Sequence, residues 1–294
     1  MIQITNPADC CGCTACASVC VHNAITMQPD ALGFLYPVVD KDKCTDCGLC
    51  EKVCAFNDNY DTSLNLPRPE AYAARHKDMS EVETSRSGAA FIAISDWILK
   101  HDGVVYGAGY ADHFRVVHKR ATTKEERNEF KGSKYVQSDL TGVFRQVKQD
   151  LKGGKIVLFS GTPCQTSGLN SYVGKKLREN LYLLDIVCHG VPGPKLWDSY
   201  LCYLEKEQGD KISWVNFRDK QAYGWAAHHE TFKFVNGGDK MSFTYLFYQY
   251  ITFRYSCGKC HFCNTRRPSD ITIADYWGWQ KTDPNINKDD KGVS

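Results

Sequence analysis

Two copies of one cysteine pattern occupy the start of this chain and constrain its fold more than any other feature. Cys10-x2-Cys13-x2-Cys16-x3-Cys20 is followed by Cys44-x2-Cys47-x2-Cys50-x3-Cys54. Three cysteines at that spacing wrap a loop around three corners of an iron–sulfur cubane, and the fourth, on a short helix, points to the other cubane. Cys10, Cys13, Cys16 and Cys54 are therefore expected to hold one 4Fe–4S cluster, and Cys44, Cys47, Cys50 and Cys20 the second. Gly12 and Gly48 precede the second cysteine of each set, where close approach of backbone to sulfide favours glycine. Val19, Ile25, Val53 and Phe56 are placed to shield the clusters from water. A pair of structural zinc knuckles is the alternative, since these also use CxxC pairs, but the duplicated four-cysteine run is far more specific. The proline that usually follows the fourth cysteine is replaced by Val21 and Ala55, which loosens a turn without removing a ligand. Cys11 is supernumerary and reads as a bystander thiol.

Composition agrees with metal ligation. Of 15 cysteines in 294 residues, nine crowd into Cys10–Cys54, and such crowding suits a metal better than disulfides. Met1–Cys13 has neither a basic segment nor an apolar run, so no secretory signal is expected, and the location is expected to be cytoplasmic. The longest apolar stretch, near Ala89–Leu99, is broken by Ser95 and Asp96 and falls short of the ~20 residues of a membrane span. With 36 Lys and Arg against 34 Asp and Glu, no nucleic-acid footprint is visible.

Three segments follow from the pattern. Residues 1–57 form the cysteine-rich module, 58–69 a polar linker ending in prolines, and 70–294 a larger domain of alternating strands and helices. Strands are expected at 71–75, 104–110, 155–160 and 181–187. Helices are expected at 88–100, through Val143, Val147 and Leu151, and through Leu196, Trp197, Tyr200, Leu201 and Leu204. The aromatic stretch 211–255 is expected to add further strands. The fold class is thus α+β to α/β, a small dicluster ferredoxin-like domain followed by a larger α/β domain.

The larger domain carries its own chemistry. GTPCQ follows a strand and opens a helix, with Pro163 suited to the first turn; such a terminus attracts a phosphate or favours a thiolate at Cys164. SRSGAAF at 85–91 also opens a helix, as a pyrophosphate cradle or an ordinary cap. Lys134 taken alone is a solvated lysine. Cys257-x2-Cys260-x2-Cys263 gives three close thiols, while Cys164 and Cys188 end strands whose termini share one sheet edge. Five thiols compete for the four places of a third cluster. Cys202 falls within a helix and reads as a plain buried thiol. His189 beside Cys188 is read as orienting its loop; His22, His228, His229 and His261 have no ligand spacing. Tyr223, Trp225 and Trp277 are placed to cover a ring or to fill the core.

SRSGAAF, FKGSKYVQS (130–138), LFSGTPCQTSGL (158–169), DIVCHGVPGP (185–194) and SDITIADYWG (269–278) occur in that order. Together they resemble the coenzyme F420 hydrogenase/dehydrogenase beta-subunit family, here behind a dicluster ferredoxin domain. The resemblance implies a flavin-containing oxidoreductase binding FAD, with a third 4Fe–4S cluster beside it. It implies Ser87, Gly88, Ala89, Lys134, Tyr135, Gln137, Thr162 and Gln165 at the flavin. For the third cluster it implies Cys164, Cys188, Cys257 and Cys260, with Cys263 as substitute; the rival set is Cys257, Cys260 and Cys263 with Cys188. Relatives continue through a further segment, so C-terminal truncation is expected. The implied partners are a ferredoxin or other redox protein and a small-molecule hydride donor or acceptor. The other classes to weigh are an electron-carrying subunit without its own substrate and a cluster-bearing regulator, the latter without a DNA-reading motif.

Overall fold

The computed structural model describes residues 1–58, 60–240 and 243–294; residue 59 of the expected linker and residues 241 and 242 of the aromatic stretch lie outside them. The cysteine-rich module consists of α1 (Ala15–Val19), β1 (Ile25–Pro29), β2 (Leu35–Val39) and α2 (Leu49–Lys52). β1 and β2 form an antiparallel pair with Ile25 opposite Val39. So small a module has little apolar volume, and it borrows the rest from its neighbour: Cys11, Cys13, Ala15 and Val53 are buried in the same core as Phe144, Phe159 and Leu169 of the larger domain.

That larger domain begins with α3 (Met79–Thr84), α4 (Ala90–Lys100), β3 (Val104–Tyr110), β4 (Val116–Ala121), α5 (Lys124–Asn128) and α6 (Val143–Lys152). It continues through β5 (Val157–Gly161), α7 (Pro163–Val173), β6 (Leu181–Ile186) and α8 (Pro194–Gln208). β7 (Ile212–Asn216), α9 (Lys220–Tyr223), β8 (Thr231–Phe234), β9 (Asp239–Lys240), α10 (Phe243–Tyr248) and β10 (Ile271–Ile273) complete it. The main sheet has the order β10-β6-β5-β3-β4, parallel except for β4 at its edge. Alternation along the strands places Val157, Phe159, Leu181 and Leu183 against α6 and α7, and Val105, Leu158 and Leu184 against α4. The α/β reading therefore holds. The aromatic stretch supplies a second, antiparallel sheet of β7, β8 and β9, packed by Trp197, Leu201 and Leu204 of α8.

Two expectations fail. Residues 71–75 are not a strand: Ala74 exchanges two backbone hydrogen bonds with Ser294 (2.9 and 3.0 Å), and no sheet neighbour offers that segment a ladder. Cys202 lies on α8 but is exposed, because the face buried by Trp197, Leu201 and Leu204 points away from it. Among the described residues no helix is long and apolar enough to cross a membrane.

Phe144 is fully buried between Phe159 and Tyr172, with ring centroids 5.9 and 6.0 Å away. Phe144→Ala should cost about 3–5 kcal/mol, seen as a lower denaturation midpoint at unchanged iron content. An unchanged midpoint would show that this packing is dispensable.

Candidate redox site

Local geometry gathers the expected cysteine sets. The helices α1 and α2 each start at a left-handed residue, Thr14 (φ 68°) and Gly48 (φ 74°), which turns the preceding loop back on itself. Cys10, Cys13, Cys16 and Cys54 are mutual neighbours: burial first, then Cys13 and Cys10, raise the thiol of Cys16, and Cys54 adds to this. Cys20, Cys44, Cys47 and Cys50 all line one small cavity with Ile25 and Val39. Backbone N–H groups aim at the sulfurs, from Ala24 to Cys20 (3.3 Å), Asp46 to Cys44 (3.4 Å) and Ile2 to Cys50 (3.2 Å). Such bonds stabilise thiolate and tune a cluster's potential. Val53 and Ile25 are buried, Val19 and Phe56 partly so.

One residue of the larger domain binds the first loop. Arg254 is 1% exposed. It donates from Nε to the Cys10 carbonyl (2.8 Å), from Nη1 to Gln137 Oε1 (2.9 Å) and from Nη2 to the Leu35 carbonyl (2.9 Å). Its guanidinium lies 4.2 Å from the ring centroid of Tyr36. The Gln137 amide in turn donates to the Cys11 carbonyl (2.8 Å). Gly12 is required here twice over, by a φ of +71° and because a Cβ would stand 2.9 Å from Arg254 Nη1. The Arg254 carbonyl also accepts from the amide of Cys257 (2.9 Å), so this residue ties the first loop to the second cysteine group.

That second group forms at the carboxyl ends of β5 and β6. Burial raises the Cys188 thiol, and Cys164, Cys257 and Cys260 are the sulfurs that add to it. Burial pushes Cys257 to about 11, with Cys164 and Cys263 also near it. Cys263 itself is exposed. Cys11 departs from the bystander reading: it is 4% exposed, and the neighbouring thiols of Cys13 and Cys164 raise its own. Gly168, one turn beyond Cys164, leaves room for Cys13, whose Sγ would lie 2.6 Å from a Cβ there. A tetrahedral zinc ion, with Zn–S of about 2.3 Å, needs sulfurs roughly 4 Å apart. Among the described residues, His113, Asp198 and Cys202 at the surface have ligand atoms that all lie within 4.8 Å of one another.

Beside these thiols lies a cavity of about 540 Å³ at the carboxyl edge of the sheet, within the size range of cofactor sites. Of the residues implied for a flavin, Ser87, Ala89, Lys134, Tyr135, Thr162 and Gln165 line it, together with Cys188 and His189. Gly88 and Gln137 do not. Gly88 packs on the backbone of Ala74 and Arg75, and Gln137 serves the cysteine loop. Lys134 is not a solvated lysine: its ammonium donates to the carbonyls of Glu129 (2.8 Å), Lys131 (3.0 Å) and Gly132 (3.4 Å). Thr162 and Gln165 form a capping box at the start of α7. Trp277 is half exposed in the wall and stacks on buried Trp225 at 4.5 Å, while Tyr223 is exposed outside it.

Four wall residues were not singled out in the sequence: His118 and Arg218, and, within two of the quoted motifs, Arg86 and Asp275. His118 donates from Nε2 to the Ser160 carbonyl (2.9 Å), which leaves Nδ1 to accept from Ser138 Oγ (2.8 Å), and Gln165 donates to that same hydroxyl (2.9 Å). Only the strand order, with β4 paired to β3 and β3 in turn to β5, discloses this chain.

Two family models match the chain. Residues 154–294 match the model for the C terminus of the coenzyme F420 hydrogenase/dehydrogenase beta subunit, and residues 9–57 match a 4Fe–4S dicluster domain. This chain joins that family's C-terminal domain to a 4Fe–4S dicluster domain. The resemblance read from the five motifs is borne out, and the dicluster domain makes this an iron–sulfur, electron-transferring protein. No curated protein matches it. Among solved structures, a chain of the F420-reducing NiFe hydrogenase complex from Methanosarcina barkeri is similar, at 15% identity and a TM-score of 0.41 over 60% of this chain. The present chain covers 61% of that relative's length.

Two outcomes test the geometry of this dicluster protein. Arg254→Met leaves the Cys10 and Leu35 carbonyls without their buried donor, at about 1–3 kcal/mol each. It should lower the unfolding temperature and speed proteolysis within residues 60–78, which form no helix or strand; an unchanged digestion rate would refute the clamp. Burial, against the pull of the Ser160 carbonyl, pushes His118 down to about 4 from 6.5. The folded state therefore holds fewer protons than the unfolded one between these values, so stability present above pH ~6.5 is lost as pH falls toward 4, by up to about 3 kcal/mol. His118→Gln should flatten that slope in denaturation midpoints measured at matched iron content, and parallel slopes would contradict it.

Proposed function

We propose that this chain is an FAD-dependent iron–sulfur oxidoreductase that exchanges a hydride with a small molecule at the cavity and passes single electrons through its cysteine-bound clusters to or from a ferredoxin-like partner. The observation that carries this reading is the continuity of thiols. Cys188 belongs both to the cavity wall and to the group of Cys164, Cys257 and Cys260, and Cys11 joins Cys164 to Cys13 of the first loop. A redox site at the cavity thus adjoins a line of sulfur leading into the dicluster module.

On this reading Cys10, Cys13, Cys16 and Cys54 hold one 4Fe–4S cluster and Cys20, Cys44, Cys47 and Cys50 the second. Cys164, Cys188, Cys257 and Cys260 hold a third, with exposed Cys263 as the substitute. The wall suits a flavin because it is mostly apolar and includes the rings of Tyr135 and Trp277. A bound flavin supplies the exchange between hydride and single-electron chemistry. Thr162 and Gln165 present the positive end of α7, Ser87 and Ala89 open α4, and the Gln165–Ser138–His118 chain fixes the donors on that wall. His118 stays neutral and orients these groups. The three segments 1–57, 58–69 and 70–294 then correspond to electron relay, tether and catalytic domain.

Anaerobic purification with iron and flavin analysis tests the scheme. About twelve irons and one flavin per chain are expected, and Cys257→Ser or Cys260→Ser should remove about four irons. Full iron retention in both variants would overturn the third-site assignment. Iron without flavin would instead favour an electron-carrying subunit that serves a partner enzyme.

A further inference from the structure

The cavity contains one feature that the cofactor scheme does not use. We propose that Arg86 and Arg218 form an anion subsite in its wall, which takes a phosphoryl or carboxylate group. The proposal rests on the reading of the cavity as a flavin-linked redox site and names the chemistry of what it binds.

Arg86 precedes Ser87 in the turn before α4, Arg218 follows β7, and both side chains reach the carboxyl end of β10 at Asp275. They share that one carboxylate. Arg218 Nη1 donates to Asp275 Oδ2 at 2.6 Å, whereas Arg86 Nε stands 4.0 Å from Oδ1, beyond hydrogen-bond reach. Arg86 Nη2 is taken by the Trp225 carbonyl. Arg86 Nε and Nη1 and Arg218 Nε and Nη2 are left buried with no partner in the protein, as is the indole Nε1 of Trp225. Arg218 is 8% exposed, so these donors are screened from bulk water. Buried guanidinium donors without acceptors are expensive, and native structures seldom keep several together unless something absent completes them.

Charge points the same way. Two guanidiniums face one carboxylate, and the buried ammonium of Lys220 lies behind them, spent on the carbonyls of Val82, Ser87 and Lys291. Burial and then Arg218 pull Arg86 down to about 10; burial and then Arg218 and Arg86 push neighbouring His228 to about 4, so it adds no charge. Trp277 supplies a flat wall, 4.5 Å from Trp225 and 5.9 Å from the Arg218 guanidinium. Two planar forks with free N–H groups, facing one carboxylate beside a flat ring, fit a bidentate oxyanion rather than a neutral amide or a cation.

The anion has two possible sources, the diphosphate of the flavin or the acidic group of the second reactant. Inorganic pyrophosphate serves as the probe, titrated calorimetrically into the full iron-loaded chain, flavin-free and FAD-loaded, for wild type, R86Q, R218Q and R218K. Wild type should bind it, R86Q and R218Q about tenfold or more weakly, and R218K in between. If FAD loading blocks pyrophosphate and R218Q also weakens FAD, the flavin supplies the anion. If FAD-loaded protein still binds pyrophosphate and FAD affinity is unchanged, the second reactant does. Pyrophosphate binding without any FAD binding sinks the flavin reading and leaves the subsite standing. Failure of wild type to bind the probe, or equal affinity in R86Q and wild type at equal iron content, overturns the subsite.

Discussion

A buried guanidinium is costly unless its N–H groups find acceptors, and Arg254 finds them only with the cysteine-rich module docked. Its acceptors come from Cys10, Leu35 and Gln137, two of them in the module and one in the larger domain. Undocking would strand the charge and uncover Cys11, Cys13 and Val53, which complete the apolar core beneath. Electrostatics and burial therefore impose the same relative placement. The segment connecting the halves follows rather than leads, resting on the loop after Cys263 through Tyr60 to the Arg266 carbonyl (2.7 Å) and Asn65 to the Arg267 carbonyl (3.0 Å).

The parallel sheet does the complementary task. Strands that run the same way deliver their following loops to one edge, and here those loops carry Thr162 and Cys164, Cys188 and His189, and Asp275. Thiols and polar wall residues from three separate stretches of the chain thereby meet at one edge. The buried arginines differ: Arg254 is saturated and structural, whereas Arg86 and Arg218, in the cavity wall, retain unpaired N–H groups.

Much of this is legible in the sequence because cysteine spacing is a local code. The paired motifs alone place Cys54 with the first set and Cys20 with the second, since a helix turn fixes the direction of the fourth thiol. Strands β3, β5 and β6 are equally readable as continuous apolar runs bounded by glycine or charge. What escapes is set by long-range pairing. Cys11 looks idle because its partner, Cys164, lies far along the chain. Gln137, grouped by its motif with Lys134 and Tyr135, turns toward a different loop. The segment 71–75 reads as a strand yet finds its backbone partner at residue 294. In each case the residue type is right and the neighbour could not be inferred.

Helix α7 has a consequence of its own. It starts beside Cys164 and, four residues later, presents the bare backbone of Gly168 to Cys13. An α-helix advances about 1.5 Å per residue, so these two contacts are some 6 Å apart along one stiff rod. The spacing between Cys164 and the point where Cys13 packs is thus one helical turn, set by the backbone of α7 rather than by a loop.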